Sequence, residues 1–371
     1  MPKAIKLPVA PLAIALSLSF SAHAAERWKI QFFYDKPDVT LAIQDLRCPS
    51  ASHCIAAGSI DDKKGRAKGV VLLTSDAGNN WNLEEVSEEP ISLFFLNDAS
   101  GWMVSTHGLW STGDGGLTWK KLDAPRKGVL ESYFVSPQHG YLIGFPKAVY
   151  ETNDAGKKWS KLAAAEQESI PEDTIFECIS FLGPHGLIVG NGRSADETPV
   201  WMNPKQVRAH REHPSTLVVL ETKNGGATWD SHTSSFLGKL TQLVMTNQDY
   251  ALALFEYLGY YTLPSRVYKA KFHVNMQPVF EERDRAVTDI AWLPSGVTYL
   301  AAVEPPGGSN QVPIPGKLKI LRSSNLKVWE EMDVDYRANA QRAILAAPDA
   351  QHIWVATDTG MILTLDVSSN P

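Results

Sequence analysis

The chain has 371 residues, with 35 Lys and Arg against 41 Asp and Glu, a formal net charge of −6, 44% hydrophobic residues and three cysteines. The acidic balance argues against nucleic acid as a partner. Three cysteines are too few for a disulfide lattice, so ordinary hydrophobic cores must hold the fold.

The first element in chain order is a secretory signal peptide. It consists of Lys3 and Lys6, an apolar run from Val9 to Phe20, and the small-residue frame Ala22-His23-Ala24 with a cut expected after Ala24. The run is too short to span a bilayer, and no comparable run follows. The expectation is a soluble exported protein, periplasmic, extracellular or lumenal, with no transmembrane segment in residues 25–371. Losing Lys3 and Lys6 takes its formal charge to about −8. No cysteine sits at the cut, which removes the simplest lipid anchor.

Next comes "ERWKIQFFY", which has strand composition, and then "CPSASHC", in which Cys48 and Cys54 flank a tight loop between strands. In an oxidising compartment this pair reads as a hairpin disulfide. Cys178, in the apolar run "IFECISFL", reads as a free core residue.

A short box then repeats: "TSDAGNNW" (Thr74, Asp76, Gly78, Trp81), "TGDGGLTW" (Thr112, Asp114, Gly116, Trp119), "TNDAGKKW" (Thr152, Asp154, Gly156, Trp159) and "TKNGGATW" (Thr222, Asn224, Gly226, Trp229). A fifth stretch, "RSSNLKVW", keeps only its tryptophan, Trp329. The tryptophans recur 38, 40, 70 and 100 residues apart, a spacing typical of repeat architectures. Asn224 in the acid's place is tolerable in a turn but not in a reactive carboxylate. Asp or Asn bonds the turn backbone, glycine takes the positive φ, and tryptophan opens the next strand. The box therefore reads as a structural hairpin staple between the third and fourth strands of a unit.

Before each box lie two apolar segments split by a small-residue turn, as in "SLFFLNDASGWMVS" followed by "HGLWST". Each unit is then four strands, and seven units follow: 41–86, 89–123, 128–163, 173–233, 237–280, 286–333 and 340–366. The seventh supplies only three strands, and the N-terminal "ERWKIQFFY" is its natural fourth. The predicted fold is all-β, a single seven-bladed propeller closed by the N-terminal strand.

The S/T-x-D-x-G-x-x-W box at this spacing resembles the Asp-box or BNR repeat of sialidases, sortilin-type receptors, two-domain xyloglucanases and the photosystem II stability/assembly factor family. The layout, an exported single propeller with boxes at Thr74, Thr112, Thr152 and Thr222, is most similar to the last. That resemblance implies a scaffold and leaves its client open. A sialidase would bring three arginines, a Tyr/Glu pair and commonly a Phe/Tyr-Arg-Ile-Pro run before the first box, where this chain has "GRAKGVVLL". No motif supports a catalytic residue. His210 and His213 in "HREHP" lack a third ligand nearby, so no metal is assigned, and no phosphate-binding loop or other cofactor motif is present.

Unit length varies at one junction. Between strands two and three, units two and three carry only "STHG" and "GFPK". Units one, four, five and six carry "SIDDKKGRAKG", "NGRSADETPVWMNPKQVRAHREHPS", "EYLGYYTLPS" and "EPPGGSNQVPIPGK". Alternate connections in a propeller emerge on alternate faces, so these inserts share one face and the boxes share the other. Lys63, Lys64, Arg66 and Lys68 in the first insert, Trp201, Arg208 and Arg211 in the fourth, and Tyr260 and Tyr261 in the fifth are the candidate partner-binding residues. The sequence reads as a non-enzymatic exported propeller that binds a protein partner, an assembly or stability factor for a membrane or envelope complex. The alternative is a carbohydrate-binding or glycoside-hydrolysing propeller of the sialidase class.

Overall fold

The computed structural model describes residues 26–192, 215–247, 249–257, 263–305, 316–334 and 338–366, so the expected signal peptide lies outside the described residues. The first strand, β1 (Arg27–Phe33), is followed by blade 1, β2 (Val39–Arg47), β3 (Cys54–Asp62), β4 (Ala67–Thr74) and β5 (Asn82–Glu85). Blade 2 is β6 (Pro90–Phe95), β7 (Gly101–Ser105), β8 (Gly108–Thr112) and β9 (Lys120–Leu122), and blade 3 is β10 (Val129–Phe134), β11 (Gly140–Gly144), β12 (Ala148–Thr152) and β13 (Ser160–Lys161). Blade 4 is β14 (Ile175–Leu182), β15 (His185–Gly192), β16 (Ser215–Thr222) and β17 (Asp230–Phe236), and blade 5 is β18 (Lys239–Met245), β19 (Ala251–Glu256), β20 (Ser265–Lys271) and β21 (Asn275–Phe280). Blade 6 is β22 (Ala286–Trp292), β23 (Thr298–Val303), β24 (Leu318–Ser323) and β25 (Glu330–Met332). Blade 7 has β26 (Ala343–Ala346), β27 (Trp354–Thr357) and β28 (Met361–Asp366), and β1 completes it.

Each blade is a four-stranded antiparallel sheet, and β1 pairs with β28 from Arg27 opposite Asp366 to Phe33 opposite Met361. The chain is a seven-bladed β-propeller whose ring is closed by pairing the first strand with the last. The fourth strand of each boxed blade begins one residue after the box tryptophan rather than on it.

Strands of a blade that are apolar on both faces must be covered on both, and the ring does this by stacking blades. The buried residues fall into seven clusters, each shared by two neighbouring blades. One joins Ile55, Val71 and Leu73 of blade 1 to Leu93 and Met103 of blade 2, and another joins Leu41 and Ile43 of blade 1 to Ile344 and Trp354 of blade 7. Trp28 on β1 lies in the cluster that joins blades 6 and 7.

The innermost strands of blades 1 to 6 all carry a register shift at the same place, at Ile43/Asp45, Pro90/Ser92, Val129/Glu131, Phe176/Cys178, Leu240/Gln242 and Val287/Asp289. A bulge places one extra residue in a strand and re-aims its side chains. Here the extra residue and the one after it both line the central channel, so these bulges decide what the channel is made of.

Candidate functional site

In the boxes, Thr74 Oγ1 donates to Asp76 Oδ1 (2.8 Å) and accepts from the Gly78 N–H (2.9 Å). Thr112 with Asp114 and Gly116, Thr152 with Asp154 and Gly156, and Thr222 with Asn224 and Gly226 repeat both bonds. Asn224 makes through its amide oxygen the bonds that the aspartates make through a carboxylate, accepting the Thr228 N–H at 2.9 Å. Two consecutive residues take positive φ in each box: 58° and 81° at Ala77 and Gly78, 73° and 92° at Gly115 and Gly116, 62° and 80° at Ala155 and Gly156, and 70° and 96° at Gly225 and Gly226. The second position in each copy is glycine, which pays no Cβ penalty there.

The fifth stretch is a box after all. Ser323 and Asn325 take the Thr and Asp roles, with Leu326 N donating to Ser323 Oγ (2.9 Å) and Val328 N to Asn325 Oδ1 (3.0 Å). One residue is deleted, and a single left-handed residue, Leu326 at φ 59°, replaces the usual two. The shortened spacing from Ser323 to Trp329 is what hides it from a fixed-offset reading.

The box tryptophans act between blades as well as across the hairpin. Trp119 packs with blade 1 residues and meets Phe95 edge-on at 6.2 Å, Trp159 meets Phe134 at 6.2 Å, and Trp229 meets Tyr141 of the preceding blade at 5.5 Å. Asp114 also accepts from the Thr118 N–H (2.9 Å) and hydroxyl (2.6 Å), and these bonds hold its carboxyl down at about 2. Because the folded value lies below the ordinary 3.8, the stabilisation is complete above that pH and is lost as pH falls through about 2. Asp114→Ala is expected to lower unfolding free energy in urea by about 1–2 kcal/mol while leaving partner binding intact. Unchanged stability with lost binding would count against a structural role.

Cys48 and Cys54 are joined, with an S–S distance of 2.05 Å, across the turn from β2 to β3. Cys178 is a free, buried thiol whose pKa burial drives upward, the state of a core residue rather than a nucleophile.

On the insert face, the first insert is a projecting hairpin and not a loop. Ser59 pairs with Gly69, Ile60 with Lys68 and Asp61 with Ala67, leaving a tight turn at 63–66 in which Asp62 Oδ1 accepts the Lys64 and Arg66 N–H groups (2.8 and 3.0 Å). Its basic excess is largely cancelled, which corrects the sequence reading. Lys63 pairs with Asp38, Arg66 with Asp62 (2.6 Å) and Lys68 with Glu85 (2.8 Å), while Lys64 makes no ion pair among the described residues. Only the Arg66–Asp62 pair lies within the insert itself; Asp38 and Glu85 come from outside it, so the insert's own composition does not show the cancellation. Trp201, Arg208, Arg211, Tyr260 and Tyr261, like His210 and His213, lie outside the described residues. At the base of the fifth insert Tyr257 is buried, with the Arg266 guanidinium 5.9 Å from its ring centroid.

A feature of this face that composition does not disclose is an apolar groove of 730 Å³ at the seam of blades 7 and 1. It is lined by Ile30, Phe33, Tyr34, Leu41 and Met361, with Lys36 and Asp358 at its edge. Phe33, at the end of β1, is 54% exposed there.

The channel has two halves, 390 Å³ toward the insert face and 280 Å³ toward the box face, which share Arg47, Glu131, Glu177 and Gln242. Asp45 Oδ1 accepts the Leu46 N–H (2.8 Å), and its Oδ2 accepts the N–H of Leu93 in blade 2 (2.7 Å). Asp289 repeats this at the junction of blades 6 and 7, with Ile290 (2.8 Å) and Leu345 (2.7 Å). Burial nevertheless pushes its carboxyl up to about 6, against those bonds. Arg47 Nε donates to the Leu93 carbonyl (2.9 Å) and Nη2 lies 3.2 Å from Asp45. Asp45 and Asp289 thus bind blades together, and a three-arginine carboxylate cradle is not formed among the described residues. No group of three or more His, Cys, Asp or Glu able to hold a metal occurs among the described residues, and no helix among them is long and apolar enough to cross a membrane.

Seven four-stranded blades, hairpins fixed by a repeated Thr–Asp–Gly–Trp box and ring closure by β1 define the class: this is an Asp-box, or BNR-repeat, β-propeller. More particularly, it resembles the photosystem II assembly factors. The family described as Photosynthesis system II assembly factor YCF48 matches residues 122–195. The Photosystem II assembly lipoprotein Ycf48 of Synechococcus sp. (strain CC9902) is 25% identical over 147 residues, 34% of this chain and 43% of that protein, so the chain spans less than half of that relative's length. The structure described as YCF48 bound to D1 peptide has a TM-score of 0.59 at 17% identity, covering 93% of this chain and 97% of that one. YCF48 from Cyanidioschyzon merolae has a TM-score of 0.58 at 14% identity, covering 92% and 98%.

Proposed function

We propose that this chain is an exported, non-enzymatic propeller that binds an extended segment of a protein partner in a membrane or envelope complex, and serves as an assembly or stability factor for it. The observation that carries this reading is the apolar groove at the seam of blades 7 and 1, with Phe33 half-exposed in it, on the same face as the long inserts. An exposed aromatic in a concave, mostly apolar site is an anchor point of the kind that dominates protein interfaces. The likeness to a propeller described as bound to D1 peptide supports a peptide segment as the occupant. The inserts of blades 1, 4, 5 and 6 extend the docking face, with Lys64, Trp201, Arg208, Arg211, Tyr260 and Tyr261 as its candidate contacts. The paired Lys63, Arg66 and Lys68 contribute less, because a cation already held by a carboxylate has little long-range attraction left to offer.

Affinity capture from the protein's own envelope fraction tests this. Phe33→Asp is expected to reduce the captured partner about tenfold or more while shifting stability by no more than about 0.5 kcal/mol, because the side chain is exposed. Lys157→Glu with Lys158→Glu, on the box face, is expected to capture normally. Normal capture by Phe33→Asp and loss in the box-face variant would overturn the assignment.

A further inference from the structure

We propose that the box face is a membrane-docking surface. It rests on an anionic phospholipid bilayer, with apolar hairpin tips entering the headgroup layer and lysines between them meeting lipid phosphates. This does not rest on the insert-face reading.

The box hairpins share their face with the turns between first and second strands. The Gly115 N–H donates to the Ala99 carbonyl (2.9 Å) and the Gly225 N–H to the Pro184 carbonyl (2.8 Å), each joining a box to such a turn. Six large apolar side chains are exposed among the described residues, and four of them lie on this face. Leu117, Val274 and Val328, each at least 70% exposed, stand at the third-to-fourth strand hairpins of blades 2, 5 and 6, and Leu182 ends the first strand of blade 4. The other two, Phe33 and Phe145, are on the insert face. Because the four come from separate blades, they project as single knobs and build no concave site. A fluid headgroup layer takes in scattered apolar side chains, whereas a protein partner would have to present a matching hollow to each.

Charge along the same arc favours anionic lipid. Lys157 and Lys158 in the blade 3 box and Lys327 in the blade 6 box are exposed and make no ion pair among the described residues. Lys271 is held by Asp249, and Lys223 lies 3.9 Å from Glu221, so the free positive charge sits on the first three. The boxes of blades 4 and 6 are also the two that carry asparagine in place of the acid. Asn224 and Asn325 accept the Thr228 and Val328 N–H groups (2.9 and 3.0 Å), so the turn keeps its bonds while the face loses two carboxylates. Turn geometry is indifferent to that change, but attraction to an anionic surface is not.

The path of the chain agrees. β1 starts on the box face, with Arg27 opposite Asp366, and the apolar run Val9 to Phe20 ends six residues before Arg27 in the sequence. On the signal-peptide reading of that run, the box face is the one nearest the bilayer while the chain is still attached to it.

Co-sedimentation with vesicles tests this, using the chain from Ala25, which holds every described residue. Vesicles of phosphatidylglycerol and phosphatidylcholine in equal parts should bind it saturably and release it as salt rises, and phosphatidylcholine alone should bind it weakly. Leu117→Ser, Val274→Ser and Val328→Ser together are expected to weaken binding about a hundredfold, at about fivefold per tip, while leaving its salt dependence. Lys157→Glu, Lys158→Glu and Lys327→Glu together should weaken it about tenfold or more and flatten the salt dependence. Phe33→Asp should bind vesicles as the wild type does, so a failure of the insert-face reading leaves this result unchanged. Circular dichroism confirms that each variant is folded. No binding to the anionic vesicles, or wild-type binding in both the tip and the lysine variants, would overturn the proposal. So would loss of binding in Phe33→Asp with both of those sets intact.

Discussion

Replacing Trp28 with alanine is expected to lower unfolding free energy by about 3–4 kcal/mol, the range for removing a buried aromatic from a core. Trp28 is 8% exposed and sits on β1, in the cluster that joins blades 6 and 7. Its indole N–H has no partner, so the loss is one of apolar contact and leaves no bond broken. The position matters beyond the area. β1 is joined to the ring by its ladder to β28, by the Glu26 carboxylate on Arg322 (2.7 Å) and by Gln31 Oε1 accepting from Trp354 Nε1 (2.8 Å). Each of these must hold the two ends of the chain together against the entropy of opening the ring. Urea unfolding of the protein checks this, and a loss under about 0.5 kcal/mol would show that β1 adds little to closure.

The second large effect is expected at Asp45. Asp45→Ala removes the acceptor for Leu46 N–H and for Leu93 N–H across the junction of blades 1 and 2, and it takes away the carboxylate beside Arg47, whose side chain is 39% exposed. Orphaned buried donors cost about 1–3 kcal/mol each, so with two of them a loss of about 3 kcal/mol is expected by urea unfolding. Asp45→Asn should recover only part, because an amide offers one acceptor oxygen where two N–H donors wait. Full stability in Asp45→Ala would mean that the inner ring does not depend on this bond.

The architecture was legible because the boxes are local. Thr, Asp or Asn, Gly and Trp within eight residues each satisfy the turn they sit in, so the pattern survives in sequence wherever the geometry survives. The fifth box escaped because Ser323-x-Asn325 closes the same bonds with one residue fewer, which shifts its tryptophan out of frame. The channel was not legible, since Asp45, Glu131, Glu177 and Asp289 come from four blades and meet only in space. A trace was present: "IQDL", "LESY", "FECI" and "VTDI" place a polar residue at or beside the bulge of an otherwise apolar innermost strand. The insert-face groove was hidden for the same reason, since its walls come from β1, β2 and β28, at opposite ends of the chain.

The most direct test of the central claim, that the partner docks on the insert face, is site-specific photocrosslinking in the cells that make the protein. A benzophenone residue is placed at Phe33 or Lys64 on one face and at Lys157 or Lys158 on the other. A single partner crosslinked from Phe33 and Lys64, and absent from Lys157 and Lys158, is the predicted result. Crosslinking confined to Lys157 and Lys158 would contradict it.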